Sequence, residues 1–202
     1  MRTDLTDDIM RLTGEHVLLV VIVMAIAVAI GVPAGILLSR RAALRPTLLG
    51  FANVMQTVPS LALLGFLIPA IGIGARTASV ALVLYALLPI LRNTFVGIST
   101  VDPAVCESAI AMGMTDYQLL QMVQLPLAAR TILAGIRVAT VTTIGTATIA
   151  ALIGGGGLGV FIFRGVASVD TTQILAGSIP AALLALAADG GLGWLERRLS
   201  RG

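Results

Sequence analysis

The residues that could carry chemistry in this 202-residue chain are few. It contains one histidine, His16, and one cysteine, Cys106, whereas zinc and iron–sulfur sites need three or four nitrogen or sulfur ligands. All 13 basic residues are arginine, so the chain has no lysine. A nucleotide-binding P-loop needs a lysine to reach the phosphates of ATP. The sequence therefore predicts no metal site and no ATP hydrolysis in this chain.

The composition points to a membrane protein. Hydrophobic residues make up 57% of the chain and charged residues 11%, against roughly 25% charged residues in a soluble domain, and the mean hydropathy is +1.02. The arginines stand singly or in pairs beside apolar runs, which is typical of membrane boundaries and not of a nucleic-acid groove. We therefore expect an all-α polytopic membrane protein, and a soluble enzyme is excluded.

Five stretches are long and apolar enough to cross the roughly 30 Å hydrocarbon core as helices, at about 1.5 Å per residue. Arg92 lies near the far end of the third stretch, where its long side chain can reach the membrane interface. Asp189 lies near the end of the fifth, where we favour pairing with a nearby arginine over a direct role in transport. The predicted spans, within one transmembrane domain of residues 1–202, are 17–38, 51–71, 77–98, 131–153 and 171–194.

The charges predict which side of the membrane each end faces. An amino terminus outside and a carboxyl terminus inside place nine of the 13 arginines on the inner side, as the positive-inside rule requires. Acidic residues precede the first apolar run, and Arg40 and Arg41 follow it, which is the reverse of a signal peptide. The arginines assigned to the inner side are Arg40, Arg41, Arg45, Arg92, Arg130, Arg137, Arg197, Arg198 and Arg201.

The longest polar segment, residues 99–130, is expected on the inner side and is built like two short helices. Asp102 followed by Pro103 is an N-cap with proline at the first helical position, and Gly113 is expected to end that helix. Thr115 and Gln118 form a capping box that starts a second, amphipathic helix. Pro126 is expected to close it. Such a segment can dock on a partner.

The spacing within this segment resembles the EAA loop of binding-protein-dependent ABC importer permeases. The family pattern is E-A-A, three residues, G, nine residues, I, one residue, L-P, and here Ser108 and Val123 replace an Ala and the Ile. The resemblance implies that the loop holds coupling helices seated in a cleft of a separate ATP-hydrolysing subunit, although Glu107 alone could be a solvated carboxylate. The residues that match the pattern are Glu107, Ala109, Gly113, Val123, Leu125 and Pro126.

Further segments resemble the branch of that family that imports quaternary amines, and the methionine-importer branch is the nearest rival. The resemblance implies a permease subunit that moves glycine betaine, carnitine or choline inward by ATP-driven alternating access in the bacterial cytoplasmic (inner) membrane. It implies ATP-binding subunits, a second permease subunit and an extracytoplasmic binding protein as partners. ATP and Mg²⁺ would be bound by the ATPase, with no cofactor in this chain. The segments are 56–64, 88–94, 147–150 and 153–159.

Asn53, Gln56 and Pro59 are candidates for a translocation path in the second span. An amide in lipid costs free energy unless it faces water or a partner, so either a path or hydrogen bonding between helices explains the two amides. Aromatic residues make up only 4% of the chain, and quaternary amines are typically held by aromatic cages. We therefore expect tight recognition in the binding protein. The alternative of a small ion-coupled secondary transporter needs buried ionisable groups in the membrane, and only Asp189 approaches that.

Overall fold

A computed structural model describes residues 2–199, with side chains from residue 5 onward. The predicted domain of residues 1–202 and the inner-side assignment of Arg201 therefore extend beyond the described residues. The regular elements within this range are all helices, which confirms the all-α prediction. They are α1 (Arg2–Arg40), α2 (Arg45–Thr57), α3 (Ser60–Ile71), α4 (Ala75–Ser99), α5 (Pro103–Ala111), α6 (Asp116–Ile153), α7 (Gly159–Ser168) and α8 (Thr171–Leu199).

Helices α1, α4 and α6 form the centre of the bundle, where their apolar side chains make one buried cluster. Small residues bring α1 and α4 close together. A Cβ atom at Gly31 would lie 2.8 Å from Cγ2 of Ile90, and one at Gly35 would lie 2.5 Å from Cβ of Thr94. Glycines four residues apart let two membrane helices approach closely, so that packing replaces the missing hydrophobic driving force.

The chain passes five times between the two ends of this bundle. Helices α1, α4, α6 and α8 are each long and apolar enough to cross a membrane. The guanidinium of Arg45 donates to the carbonyl of Leu38, so α2 starts beside the end of α1. Ile73, just after α3, lies beside Gly154 at the opposite end. The bent pair α2–α3 is therefore one broken passage, in agreement with the predicted count of five.

The second span is not the continuous helix predicted for residues 51–71. Helix α2 begins earlier, at Arg45, and ends at Thr57, and the bent pair turns by 105° before continuing as α3. Val58 is extended, with ψ of 125°, because a residue that precedes proline is disfavoured in the helical region. Pro59 thus divides the second span into two helices.

The prediction that Pro126 closes a short helix is also wrong. Helix α6 runs unbroken from Asp116 to Ile153, so the helix of the fourth span begins well before residue 131. A π-helical turn covers Leu119–Gln124, and the N–H of Leu125 donates to the carbonyl of Leu120. Pro126 lies just beyond this wider turn, where its missing N–H does not end the helix.

A turn rich in glycine and then a further helix follow the far end of α6. A glycine run follows α6, and Gly154, Gly156 and Gly157 all have positive φ, a conformation that glycine adopts without strain. The unpredicted helix α7 comes next. Asp170 then caps α8, since its carboxylate accepts bonds from the side chain of Gln173 and from the N–H of Thr172. These bonds, the one from the Gln173 side chain foremost, lower the pKa of the Asp170 carboxyl.

Candidate translocation cavity and coupling segment

A cavity of about 650 Å³ opens between α4, α6 and the break between α2 and α3. Its lining follows helical geometry, because residues spaced by three or four lie on one face of a helix. Helix α4 contributes Tyr85, Leu88, Pro89 and Arg92, and α6 contributes Val138, Thr142, Thr146 and Ile149. The break itself contributes Gln56, Thr57, Val58, Pro59 and Ser60.

Two hydrogen bonds tie the break to α4. The phenol of Tyr85 donates to the backbone carbonyl of Val58. In return, Nε2 of Gln56 donates to the carbonyl oxygen of Tyr85 at 2.9 Å. Pro89, four residues after Tyr85, has no N–H to offer that carbonyl, so Gln56 supplies the bond that the helix lacks. The irregular backbone of the second span is therefore satisfied by protein, as membrane segments require.

The three residues predicted for the path occupy different positions. Gln56 and Pro59 line the cavity. Gln56 also donates to the backbone of α4, as hydrogen bonding between helices would require, and its role in a path stays a prediction. Asn53 lies on the exposed surface of α2 and is not among the residues that line the cavity.

Sequence reasoning missed the charged residue of the cavity. Arg92 is the one charged side chain in the lining, whereas the sequence suggested only that it reaches the membrane interface. It is exposed, and within the described part of the chain it has neither a hydrogen-bond acceptor nor an ion-pair partner. The signal that could have found it is its spacing of seven residues from Tyr85, which places both on one face of α4.

The hydroxyl groups in the cavity divide into two kinds. Those of Thr142 and Thr146 donate to backbone carbonyls one turn earlier in α6, each at 2.9 Å. Those of Ser60 and Thr143 have no hydrogen-bond partner among the residues that the structure describes. The second pair therefore leaves two hydroxyls without a protein partner in the lining, of which Ser60 is half-buried and Thr143 is buried.

The segment that matches the EAA pattern consists of α5, the turn at Gly113 and the first turns of α6. The predicted caps are present: Asp102 accepts from the N–H of Ala104 at 2.9 Å, and Thr115 and Gln118 form a complete capping box. Gly113 has φ of +86°, a left-handed conformation that ends α5 and redirects the chain.

The pattern residues differ in exposure. Glu107 and Pro126 are exposed, and Val123 and Leu125 are half-buried. Ala109 is buried, and its carbonyl accepts from the N–H of Met114 beyond the turn. The side chain of Glu107 makes no contact with an arginine in the described residues. Its carboxylate is therefore free to meet a group outside this chain.

The same segment carries an unpartnered apolar groove at the polar end of the bundle. The groove lies between α5 and the π-helical turn of α6, and Val105 and Met112 are exposed beside it. The guanidinium of Arg40 donates to the carbonyl of Asp116 at 2.9 Å and so anchors the segment to α1. An exposed apolar patch with a polar rim is typical of a protein interaction site.

Asp189 is paired, as expected. Its two carboxylate oxygens accept from Nε and Nη2 of Arg137, each at 2.7 Å. Nη1 of Arg137 also donates to Glu196 at 3.3 Å. Gly193 leaves room for this contact, since a Cβ atom there would lie 3.0 Å from Cζ of Arg137. The acid that a gradient-driven carrier would need is thus held in an ion pair between α6 and α8.

Comparisons with known proteins agree with this architecture. A family model described as "Binding-protein-dependent transport system inner membrane component" matches residues 27–201. The carnitine transport permease protein OpuCB of Listeria monocytogenes is 46% identical over 188 residues, which are 93% of this chain and 86% of that protein. The glycine betaine/carnitine/choline transport system permease protein OpuCD of Bacillus subtilis is 48% identical over 187 residues, 92% of this chain and 82% of that protein.

Solved structures have the same fold. A chain of the MetNI methionine ABC transporter, solved in inward-facing conformations, superimposes with a TM-score of 0.89 and 22% identity, covering 98% of this chain and 99% of that one. The family match spans most of the sequence, and the alignments cover 86% and 82% of the two relatives. The chain therefore belongs to the family of inner membrane components of binding-protein-dependent transport systems, and it is a multi-pass ABC importer permease.

Proposed function

We propose that this chain is the permease subunit of an ABC importer for quaternary-amine osmoprotectants, namely glycine betaine, carnitine and choline. The observation that carries the proposal is its 48% identity to a permease named for all three solutes. The chain supplies a path of low affinity, and a separate extracytoplasmic binding protein supplies tight recognition. The scarcity of aromatic residues supports this division, because cation–π cages hold such solutes tightly.

The cavity at the broken span is the part of the path that this subunit contributes. Irregular backbone within a membrane is tolerated where it lines a cavity or is buried in protein, and here the break is tied to α4 by Gln56 and Tyr85. A second permease subunit, identical or homologous, closes the path from the other side. Substrate then moves inward as the two subunits rock between two states.

The coupling segment transmits to the permease the motion that ATP binding causes in the ATPase subunits. Because the chain has no lysine for a P-loop, ATP and Mg²⁺ bind to partner ABC subunits. The groove between α5 and α6 and the exposed carboxylate of Glu107 form the docking surface for that partner. The residues assigned to coupling are Glu107, Ala109, Gly113, Val123, Leu125 and Pro126.

The proposed orientation places the amino terminus outside and the carboxyl terminus inside. Most described arginines gather at the end of the bundle that carries the coupling segment, and this end faces the cytoplasm under the positive-inside rule. Arg11, Arg76 and Arg164 lie toward the other end. The ATPase, which needs cytoplasmic ATP, then meets the coupling segment on the correct side.

Two other functions have weaker support. The likeness to the methionine transporter rests on 22% identity, well below the 40–48% identity to permeases named for osmoprotectants, among them OsmW of Salmonella typhimurium. An ion-coupled carrier would use Asp189, which is engaged by Arg137.

Co-purification tests the proposed assembly. The tagged chain is isolated from its native membrane in mild detergent, and its companions are identified by mass spectrometry. We expect an ABC ATPase subunit in every preparation, and its loss on replacement of the coupling segment. A stable, transport-competent preparation that contains no ATPase would contradict the proposal.

A further inference from the structure

The guanidinium of Arg92 faces the cavity without a protein partner. An arginine in a membrane helix is costly, and it normally pairs with an acid, bonds to a carbonyl or faces water in a functional cavity. Arg137, in the middle of α6, is satisfied by Asp189 and Glu196. Arg92 has no such partner among the described residues, so the group that satisfies it comes from outside this chain.

The cavity has the charge of Arg92 and lacks an opposing one. None of its lining residues is an aspartate or a glutamate. A guanidinium is always charged and presents a planar fork of donors that matches a carboxylate in a bidentate contact. The free hydroxyls of Ser60 and Thr143 add donors to the same lining. This set of groups suits a carboxylate and repels a bare cation.

The proposed solutes differ in whether they carry a carboxylate. Glycine betaine and carnitine are zwitterions that carry a carboxylate at one end and a quaternary ammonium at the other, whereas choline carries the ammonium and a hydroxyl. The trimethylammonium end donates no hydrogen bond, so the ring of Tyr85 and the apolar side chains of Leu88 and Val138 can accommodate it in the same cavity.

Resting on the proposed function, we propose that Arg92 binds the carboxylate of the transported solute and makes the path select zwitterionic amines over choline. Its contribution appears in the maximal rate of uptake. In the proposed function the binding protein sets the KM for external solute, so we expect the KM to stay unchanged. The path therefore selects among solutes a second time, after the binding protein has released them.

The test uses the complete complex with its ATPase, second permease subunit and a binding protein that accepts both solutes, in proteoliposomes loaded with ATP. Initial uptake of radiolabelled glycine betaine and of radiolabelled choline is measured at saturating concentration. For Arg92→Gln we expect the maximal uptake of glycine betaine to fall about 10- to 100-fold, the range for losing a hydrogen bond to a charged group. Choline uptake should stay unchanged or rise, and KM should not move.

Two further variants separate recognition from folding. Arg92→Lys keeps the charge and loses the fork, so it should retain the preference for glycine betaine at an intermediate rate. Arg76→Gln removes the same charge from the same helix, about 24 Å away at 1.5 Å per residue, where it does not line the cavity. It should change neither rate.

Each remaining outcome counts against a specific claim. If Arg92→Gln lowers the uptake of glycine betaine and choline equally, the assignment of Arg92 is overturned. If Arg92→Gln does not assemble, the same result with Arg92→Lys overturns it. An unchanged rate for glycine betaine overturns it as well. If the unmodified complex takes up neither solute, the proposed function itself fails, and this result is distinguishable because it precedes any substitution.

Discussion

The phenol of Tyr85 donates a hydrogen bond to the backbone carbonyl of Val58 at the break of the second span. Gln56 returns a bond to the carbonyl of Tyr85, which Pro89 leaves without its helical donor. The carbonyl of Val58 lies outside the helix at the break, and the carbonyl of Tyr85 lacks its helical donor at Pro89. Each is satisfied by a side chain from the other helix. This exchange fixes the shape of the cavity wall.

Removing the hydroxyl of Tyr85 should weaken the attachment of the break to α4. For Tyr85→Phe we expect a loss of about 1 kcal/mol in stability, the net value of one hydrogen bond, together with slower uptake by the assembled complex. The matched control is Tyr117→Phe, because Tyr117 accepts a bond only from Gln121 on an exposed surface. Thermal unfolding of the purified chain in detergent measures both. Equal midpoints for the two variants would show that the bond to Val58 does not hold the break.

Close packing of α4 against α6 gives a second prediction. A Cβ atom at Gly135 would lie 2.5 Å from Cβ of Asn93 and 2.7 Å from the carbonyl oxygen of Pro89. Gly135→Ala should therefore destabilise the protein by about 1 to 3 kcal/mol, as overpacking does. Gly145, on the same helix, has no neighbouring atom within 4 Å of such a Cβ, so Gly145→Ala should be neutral or slightly stabilising. Chemical denaturation compares the two, and the reverse order would refute the packing.

The ion pair between α6 and α8 should serve stability and not transport. Asp189→Asn removes the negative charge and one of the two oxygens that accept from Arg137, so the unfolding midpoint and the yield of folded protein should fall. Exchanging the charges, with Arg137→Asp and Asp189→Arg together, should restore part of the loss. If Asp189→Asn abolishes uptake and leaves stability intact, Asp189 acts in transport and an ion-coupled mechanism gains support.

A structural feature could be predicted from the sequence when the residues that cause it are close together in the chain. The caps at Asp102 and Thr115 and the turn at Gly113 were predicted because each depends on residues within one turn of chain. The local sequence does not show that Pro59 breaks its helix while Pro89 remains inside one. The side chains that satisfy the carbonyls of Val58 and Tyr85 come from the other helix, nearly 30 residues away along the chain.

The same reasoning explains the errors at Pro126 and Arg92. The π-helical turn that carries α6 through Pro126 is a wider helix with no sequence signature of its own. The position of Arg92 along its helix was evident, but whether its face meets lipid or a cavity depends on how α6 and the broken span pack against α4. Both features come from tertiary packing.

Substitutions in the coupling segment should separate ATP-driven transport from docking of the binding protein. Gly113→Val places a β-branched residue at φ of +86°, which costs about 1 to 2 kcal/mol and misplaces α5. Gly113→Asn, which tolerates this conformation, should retain most activity. Glu107→Ala removes the exposed carboxylate that is proposed to meet the ATPase. For Gly113→Val and Glu107→Ala we expect normal docking of loaded binding protein, while substrate-stimulated ATP hydrolysis and uptake fall together. Unmodified rates in both variants would show that this segment is not the coupling element.

Reconstitution of the purified chain tests the central claim most directly. Uptake of radiolabelled glycine betaine is measured in proteoliposomes that contain the chain alone, under a proton or sodium gradient, and in proteoliposomes that contain it with its ATPase, second permease and binding protein, with ATP inside. The account predicts uptake only in the complete assembly, and only while ATP is hydrolysed. Gradient-driven uptake by the chain alone would contradict it.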